Sequence, residues 1–414
     1  MSETLHTRIL ILGAGPGGSS AALFLAKAGI DCLLVDKATF PRDKICGDAL
    51  SGKVVEVLKK LDSQVVQHLA ADPMALGSWG VTFVAPNRKA LRVPFRQQYD
   101  KGAEQSPGYI AKRLDFDDFL VRECRQRPQI QLVEGLALTA FERKDGKWHC
   151  KAEDGREVVA ELVIVADGAH SRFAKQVAGI EMEPKHHCAG LRAYYRGVKG
   201  LDDDNFIELH FIKDFLPGYF WIFPLPNGMA NVGVGMRTDK VSARKVNLKK
   251  GLQELISNDP VMRERFADAE LVGDIRGFGL PLGSKRRKIS GEGYMLVGDA
   301  ASLIDPFTGE GIGNALYSGM FAAVQAAECL RTGDFSEKFM AAYDQAAYAR
   351  LWEELQLGYR MQRLVNYPWL FNLVVNKATK NRVLRETISC MFEDLDMRER
   401  LKNPMFYLKL LFAG

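Results

Sequence analysis

Residues 8–36, RILILGAGPGGSSAALFLAKAGIDCLLVD, constrain the fold more than any other stretch. Residues 8–12 are apolar and β-branched, the profile of a buried parallel strand. Gly13, Gly15 and Gly18 follow in G-x-G-x-x-G spacing, a small-residue helix runs to Gly29, and a second apolar strand ends at Asp36. Strand, glycines, helix, strand and terminal acid together predict a βαβ unit that cradles a dinucleotide. Gly13 permits the tight turn. Gly15, with Pro16 and Gly17, brings backbone close to a pyrophosphate, and Gly18 lets the helix pack tightly on the strand. The free N–H groups of the helix start suit the anion. Asp36, with Lys37 beside it, is expected to meet the adenosine ribose. An acid there disfavours a 2′-phosphate, which leaves FAD or NAD rather than NADP.

Two later segments separate those cofactors. ELVIVADGAHSRFAKQVAG (161–179) reads as a strand, a turn at Asp167-Gly168, and a helix from Ser171 to Gly179. GYMLVGDAASLIDPFTGEGIGNALYSG (293–319) reads as a strand meeting Asp299, a loop with Pro306 and Gly309, and a helix opening at Gly311-Ile312. A carboxylate at a strand end accepts several hydroxyl donors, as a ribityl or ribose chain requires. A helix start offers positive dipole to a reduced flavin. FAD needs two such ends, one for adenosine diphosphate and one for the flavin; a simple NAD site has no use for the second.

The chain has 414 residues, enough for two or three domains, and its 47% hydrophobic content provides ample core. With 56 Lys+Arg against 51 Asp+Glu, the charge is too balanced to argue for nucleic acid. KRRK at 285–288 reads as a solvated turn. Seven scattered cysteines with no C-x-x-C pair fit reduced thiols and argue against a disulfide frame or a zinc site; no metal is expected. Residues 1–15 go directly into a strand, and no apolar run is long enough to span a bilayer. A cytoplasmic protein is expected, with peripheral contact at a membrane surface left open.

GAGPGG, ADGAHS and GDAASLIDPFTGEGI resemble, in order, the three fingerprints of single-Rossmann FAD oxidoreductases built like para-hydroxybenzoate hydroxylase. The resemblance spans about residues 8–330. It implies an α/β fold: a single-Rossmann FAD-binding domain, an inserted antiparallel β-sheet substrate domain, and a C-terminal helical segment. It also places Arg113 near the FAD, just before a helix capped by Asp115. PRDKICGDALSG (41–52) is similar to the P-R-x-K-x-C-G segment of geranylgeranyl reductases, which adds Arg42, Cys46 and Gly47 to the cofactor set. YFWIFPLPNGMANVGVG (219–235) matches their Y-x-W-x-F-P pattern followed by G-x-G. In that family the stretch lines the substrate cavity, which assigns Tyr219, Trp221, Phe223, Gly233 and Gly235 to substrate binding. Alternation along a strand sends the three rings to one face.

The implied activity is reduction of carbon–carbon double bonds in an isoprenoid or similarly apolar lipid substrate by hydride from reduced flavin. Cys46 and Tyr219 are the candidate proton donors. NAD(P)H, or a ferredoxin-type protein donor, would act as a transient reductant, since no second glycine motif exists for a resident nicotinamide. Two alternatives share the scaffold: a hydroxylase or halogenase-like monooxygenase acting on an aromatic or polyketide, and a flavoprotein that binds an isoprenoid without redox chemistry.

The expected organisation is an FAD domain from 1–74, 104–184 and 286–333, a substrate sheet from 75–103 and 185–285, and a helical region at 334–414. Residues 97–108 read as an exposed loop. NYPWLFNLVVNK (366–377) and NPMFYLKLLFAG (403–414) are apolar and basic. They read as helices packed on the FAD domain, with membrane docking as the other reading.

Overall fold

A computed structural model describes residues 4–96 and 98–381. Its first layer is a sheet whose five-strand core is parallel, in the order Tyr294–Leu296, Glu157–Val165, Thr4–Leu12, Cys32–Asp36, Ile130–Glu134. Ile9, Leu10, Ile11, Val163, Ile164 and Leu34 are fully buried, as strands covered on both faces must be. Helix Pro16–Lys27 lies beside Ile312–Thr332, where close approach needs missing side chains: a methyl on Gly319 would meet Gly17 O at 2.2 Å. Met340, Tyr343, Ala347, Leu351 and Leu355 form the buried stripe of helix Glu337–Leu364. Tyr343 Oη fixes that stripe to the sheet by donating to Leu296 O at 2.6 Å.

A second sheet has seven strands, ordered Glu270–Pro281, His187–Arg196, Met229–Arg237, Gly218–Leu225, Ile207–His210, Gly80–Val84, Ala90–Pro94. It is antiparallel except where Ile207–His210 runs parallel to Gly80–Val84. Alternation divides the strand Gly218–Leu225 between two cores. Phe220 and Ile222 pack with Leu252, Leu255 and Met262 on the outer face, whereas Tyr219, Trp221 and Phe223 face inward with Phe211 and Phe307. Leu76–Ser78 joins Gly108–Ile110 and Ala49–Leu50 in a separate small sheet.

Several sequence expectations are corrected. Residues 185–285 are not strands throughout: Thr238–Arg244, Leu248–Asn258 and Pro260–Arg265 are helices that roof the outer face. The helix after residue 112 begins at Arg113 itself, with Lys112 at its N-cap; Asp115 lies inside the first turn and caps nothing. The helix expected over 171–179 spans Arg172–Gln176, with Ser171 capping it through Ala174 N. Helix Pro368–Lys380 packs against the second sheet rather than the first layer, with Phe371 and Phe211 ring centroids 4.7 Å apart. The segment at 403–414 lies outside the described residues. Among those residues, no helix is long and apolar enough to cross a membrane.

Candidate active site

The three glycine- and aspartate-bearing turns follow three neighbouring parallel strands. Leu12 pairs with Val165, and Val165 with Leu296, so all three carboxyl ends reach the same level. Ligands bind at that edge of an open α/β sheet.

At the first turn, Gly13 has φ +104° and lies against Ala166 O, and a methyl on Gly18 would overlap Gly13 O at 1.8 Å. Both positions therefore require glycine. Gly15 is uncrowded instead: its nearest neighbours are Arg42 Nη2 at 3.6 Å and Arg113 Nη2 at 4.0 Å from where a methyl would sit. Pro16 is the first residue of the helix, and Pro16, Gly17 and Gly18 are all buried. Asp36 accepts from Ala14 N and Ala38 N, both at 2.8 Å, which braces the turn; Lys37 is exposed.

The two arginines share one carboxylate. Asp117, fully buried, takes Arg113 Nε at 2.6 Å and Nη2 at 2.7 Å, and Arg42 Nη1 at 2.5 Å. Burial alone would raise the Asp117 pKa; Arg113 and Arg42 outweigh it and hold the carboxyl below its ordinary range. Two guanidinium groups against one carboxylate, beside an open glycine backbone, leave positive charge for a diphosphate. Arg113 is thus buried beside the first turn rather than at the surface. Asp117 was missed by sequence reasoning, although its i, i+4 spacing from Arg113 was a usable signal.

At the second turn, Asp167 Oδ1 is buried with no partner among the described residues, and burial pushes its carboxyl up to about 6 against the Ser171 hydrogen bond. Gly168 has φ +84°. At the third, Asp299 pairs with Lys44 at 2.8 Å and lies beside Gly311, the N-cap of helix Ile312–Thr332. An orphaned acceptor, an open glycine cradle and paired arginines together fit a dinucleotide.

Beside that edge, between the two sheets, opens a cavity of about 630 Å³. Cys46, Gly47, Pro306, Gly309, Gly311 and Ile312 line it from the cofactor side; Tyr219, Trp221, Phe223 and Gly235 line it from the second sheet. Tyr219 Oη donates to Thr308 O, tying the wall to the loop before Gly309. Burial raises the Tyr219 pKa. Gly47 is pressed against Phe223, whose Cε2 would lie 3.1 Å from an added methyl. Glu310 anchors the same loop through Ser51 and through Lys53 Nζ at 3.0 Å. Cys46 carries a free thiol.

Gly233 differs from its expected place. A methyl there would meet Trp221 Cζ2 and Leu191 O, each at 2.2 Å, so the missing side chain accommodates the indole and leaves no room for a guest. Gly235 does line the cavity, and only ordinary contacts surround it.

Comparisons with known proteins agree with this geometry. Residues 6–209 match the family described as FAD binding domain, and residues 188–273 match the geranylgeranyl reductase catalytic domain. The digeranylgeranylglycerophospholipid reductase of Thermoplasma acidophilum is 30% identical over 341 residues, covering 81% of this chain and 82% of that one. A menaquinone reductase of Mycobacterium tuberculosis is 31% identical over 336 residues, with 78% and 77% covered. A solved geranylgeranyl bacteriochlorophyll reductase-like protein of Thermoplasma acidophilum superposes with a TM-score of 0.80 at 25% identity, covering 96% and 99%. A flavin-dependent brominase, at 20% identity and a TM-score of 0.75, shares the fold alone. The cofactor is FAD, and the chain belongs to the geranylgeranyl reductase family of FAD-dependent oxidoreductases.

Proposed function

We propose that this enzyme saturates carbon–carbon double bonds of an isoprenoid chain carried by a lipid or quinone. The observation that carries the reading is the cavity: Tyr219, Trp221, Phe223, Phe211 and Leu209 give it an apolar wall, and Gly309 and Gly311 line the same cavity. The names of the relatives, lipid and menaquinone reductases, support the same substrate class.

Gly13, Gly15, Gly17, Gly18, Asp36, Arg42, Arg113, Asp167 and Asp299 would hold the FAD, with Gly309, Gly311 and Ile312 at its flavin end. When bound, FAD supplies the hydride that enters one carbon of the double bond. The second carbon takes a proton, and Cys46 is the proposed donor because it lines the cavity and its thiol is free of any disulfide. Tyr219 suits that role less well, since its hydroxyl hydrogen is engaged by Thr308 O. The ring wall excludes water and holds the chain in one orientation. NAD(P)H or a ferredoxin-type protein would deliver electrons transiently. The exposed Tyr367 and Trp369 at the start of the last described helix, with Lys377 and Lys380 at its end, support docking at an anionic membrane surface. Flotation of the full chain with anionic vesicles tests this, and flotation unchanged in a Trp369→Ser variant argues against it.

The reaction is tested by mixing reduced holoenzyme anaerobically with a geranylgeranyl-chain lipid. Flavin reoxidation with gain of one H₂ per double bond is expected. Reoxidation by air alone, yielding an oxygenated product, would favour the monooxygenase reading. A flavin that no donor reduces would favour the non-redox binder.

A further inference from the structure

Asp48 lies in the segment 41–52 but plays no part in the cofactor or substrate assignments above. It is fully buried and adopts φ +67°, a conformation aspartate tolerates better than most residues. Three donors converge on its carboxylate: Tyr194 Oη at 2.7 Å, Asn231 Nδ2 at 2.7 Å and Arg113 N at 3.2 Å. Asn231 carries the chain onward. Its Oδ1 accepts from Trp221 Nε1 at 2.8 Å, and its Nδ2 also donates to Cys46 O at 2.8 Å.

The chain has one polarity: indole N–H to amide oxygen, amide N–H to carboxylate. An ionised carboxylate, which has only acceptors, suits all three donors. An amide in its place would turn an NH₂ toward another donor in either orientation. Burial opposes ionisation here and outweighs what favours it: the hydrogen bonds from Tyr194 and Asn231, the charge of Arg192, which lies over the Tyr194 ring at 4.1 Å, and the Arg113 backbone N–H. A buried polar hub of this kind is a poor route to stability compared with apolar packing, and its best-attested use is to specify geometry. What it specifies is concrete. The Asn231 amide ties the Cys46 backbone, from the cofactor-binding layer, to the Trp221 indole, from the second sheet, and the Asp48 carboxylate holds that amide in place.

We propose that Asp48 is a positioning residue: through Asn231 it fixes the Trp221 indole relative to Cys46, and so sets the height of the cavity between the thiol and the ring wall. The catalytic consequence rests on the double-bond reductase reading; the geometric one does not.

The test uses full-length holoenzyme labelled with 5-fluorotryptophan, the Trp221 resonance being assigned by Trp221→Phe. Asp48→Asn and Asn231→Leu should each shift or broaden the Trp221 line and leave the Trp148 line, deep in the first layer, in place. Tyr194→Phe, which spares the chain to Trp221, should not move it. In anaerobic single turnovers the first two variants should lower the limiting reoxidation rate by about tenfold or more, with substrate KM within about twofold. A Trp221 line unmoved in whichever of the two variants keeps the native Trp148 line overturns the proposal. A moved line with an unchanged limiting rate overturns its catalytic part. If wild type itself fails to turn over the lipid, the substrate reading falls, and the fluorine spectra still decide the relay.

Discussion

The Trp221 indole rests directly on Gly233: the strands Gly218–Leu225 and Met229–Arg237 pair these two residues, and a methyl on the glycine would come within 2.2 Å of the ring. Gly233→Ala should therefore cost about 1–3 kcal/mol of stability through overpacking. Gly235→Ala should leave stability nearly unchanged, since its nearest neighbour would be Cys188 Sγ at 3.5 Å, and should raise KM by intruding on the cavity. Urea unfolding of both variants checks the contrast, and equal losses would contradict it.

Asp117→Asn should destabilise the apoprotein by about 3–5 kcal/mol, because Arg42 and Arg113 are left with no buried counter-charge. FAD should restore part of the loss, its diphosphate supplying the missing negative charge. Denaturant midpoints with and without FAD test this. The same deficit in both states would mean that the arginines do not meet the cofactor.

Asp167 makes a prediction about pH. Burial raises its folded-state carboxyl to about 6, so the folded apoprotein binds that proton more tightly than the unfolded chain. Its contribution is then fully present below the unfolded value of 3.8 and is lost as pH rises through about 6. Asp167→Asn removes this dependence. The melting temperature of the variant minus that of wild type should therefore increase across that window. A difference that is flat with pH would contradict the assignment.

Tyr219→Phe and Cys46→Ala separate latch from acid. Losing the Tyr219–Thr308 hydrogen bond should cost about 1 kcal/mol and change the single-turnover rate only a few-fold. Losing the thiol should slow that rate by about 100-fold, the low end of general acid catalysis. Reversed effects would make the phenol the proton source.

Much of this was legible in the chain because the chemistry forces residue types. Gly13 and Gly18 must lack side chains for their turn to close, and period-2 alternation places Tyr219, Trp221 and Phe223 on one face. Gly233 was misread because sequence shows that a side chain is missing but not which neighbour fills the space. Helix Leu248–Asn258 was overlooked despite Leu248, Leu252 and Leu255 at helical spacing and Asn247 as its cap, since the surrounding strands suggested period 2. Asp48 and Asn231 gave no local signal. Their roles arise from one contact between residues 183 positions apart, which only the folded topology creates.

The central claim is that an isoprenoid chain lies along the ring wall with one double bond beside the FAD held at Gly309–Gly311. A crystal structure of the holoenzyme with a saturated, non-reducible prenyl lipid measures this directly. Chain density is expected against Trp221 and Gly235, between Cys46 and Tyr219. Density for the chain elsewhere, with the ring wall closed onto the flavin, would contradict it.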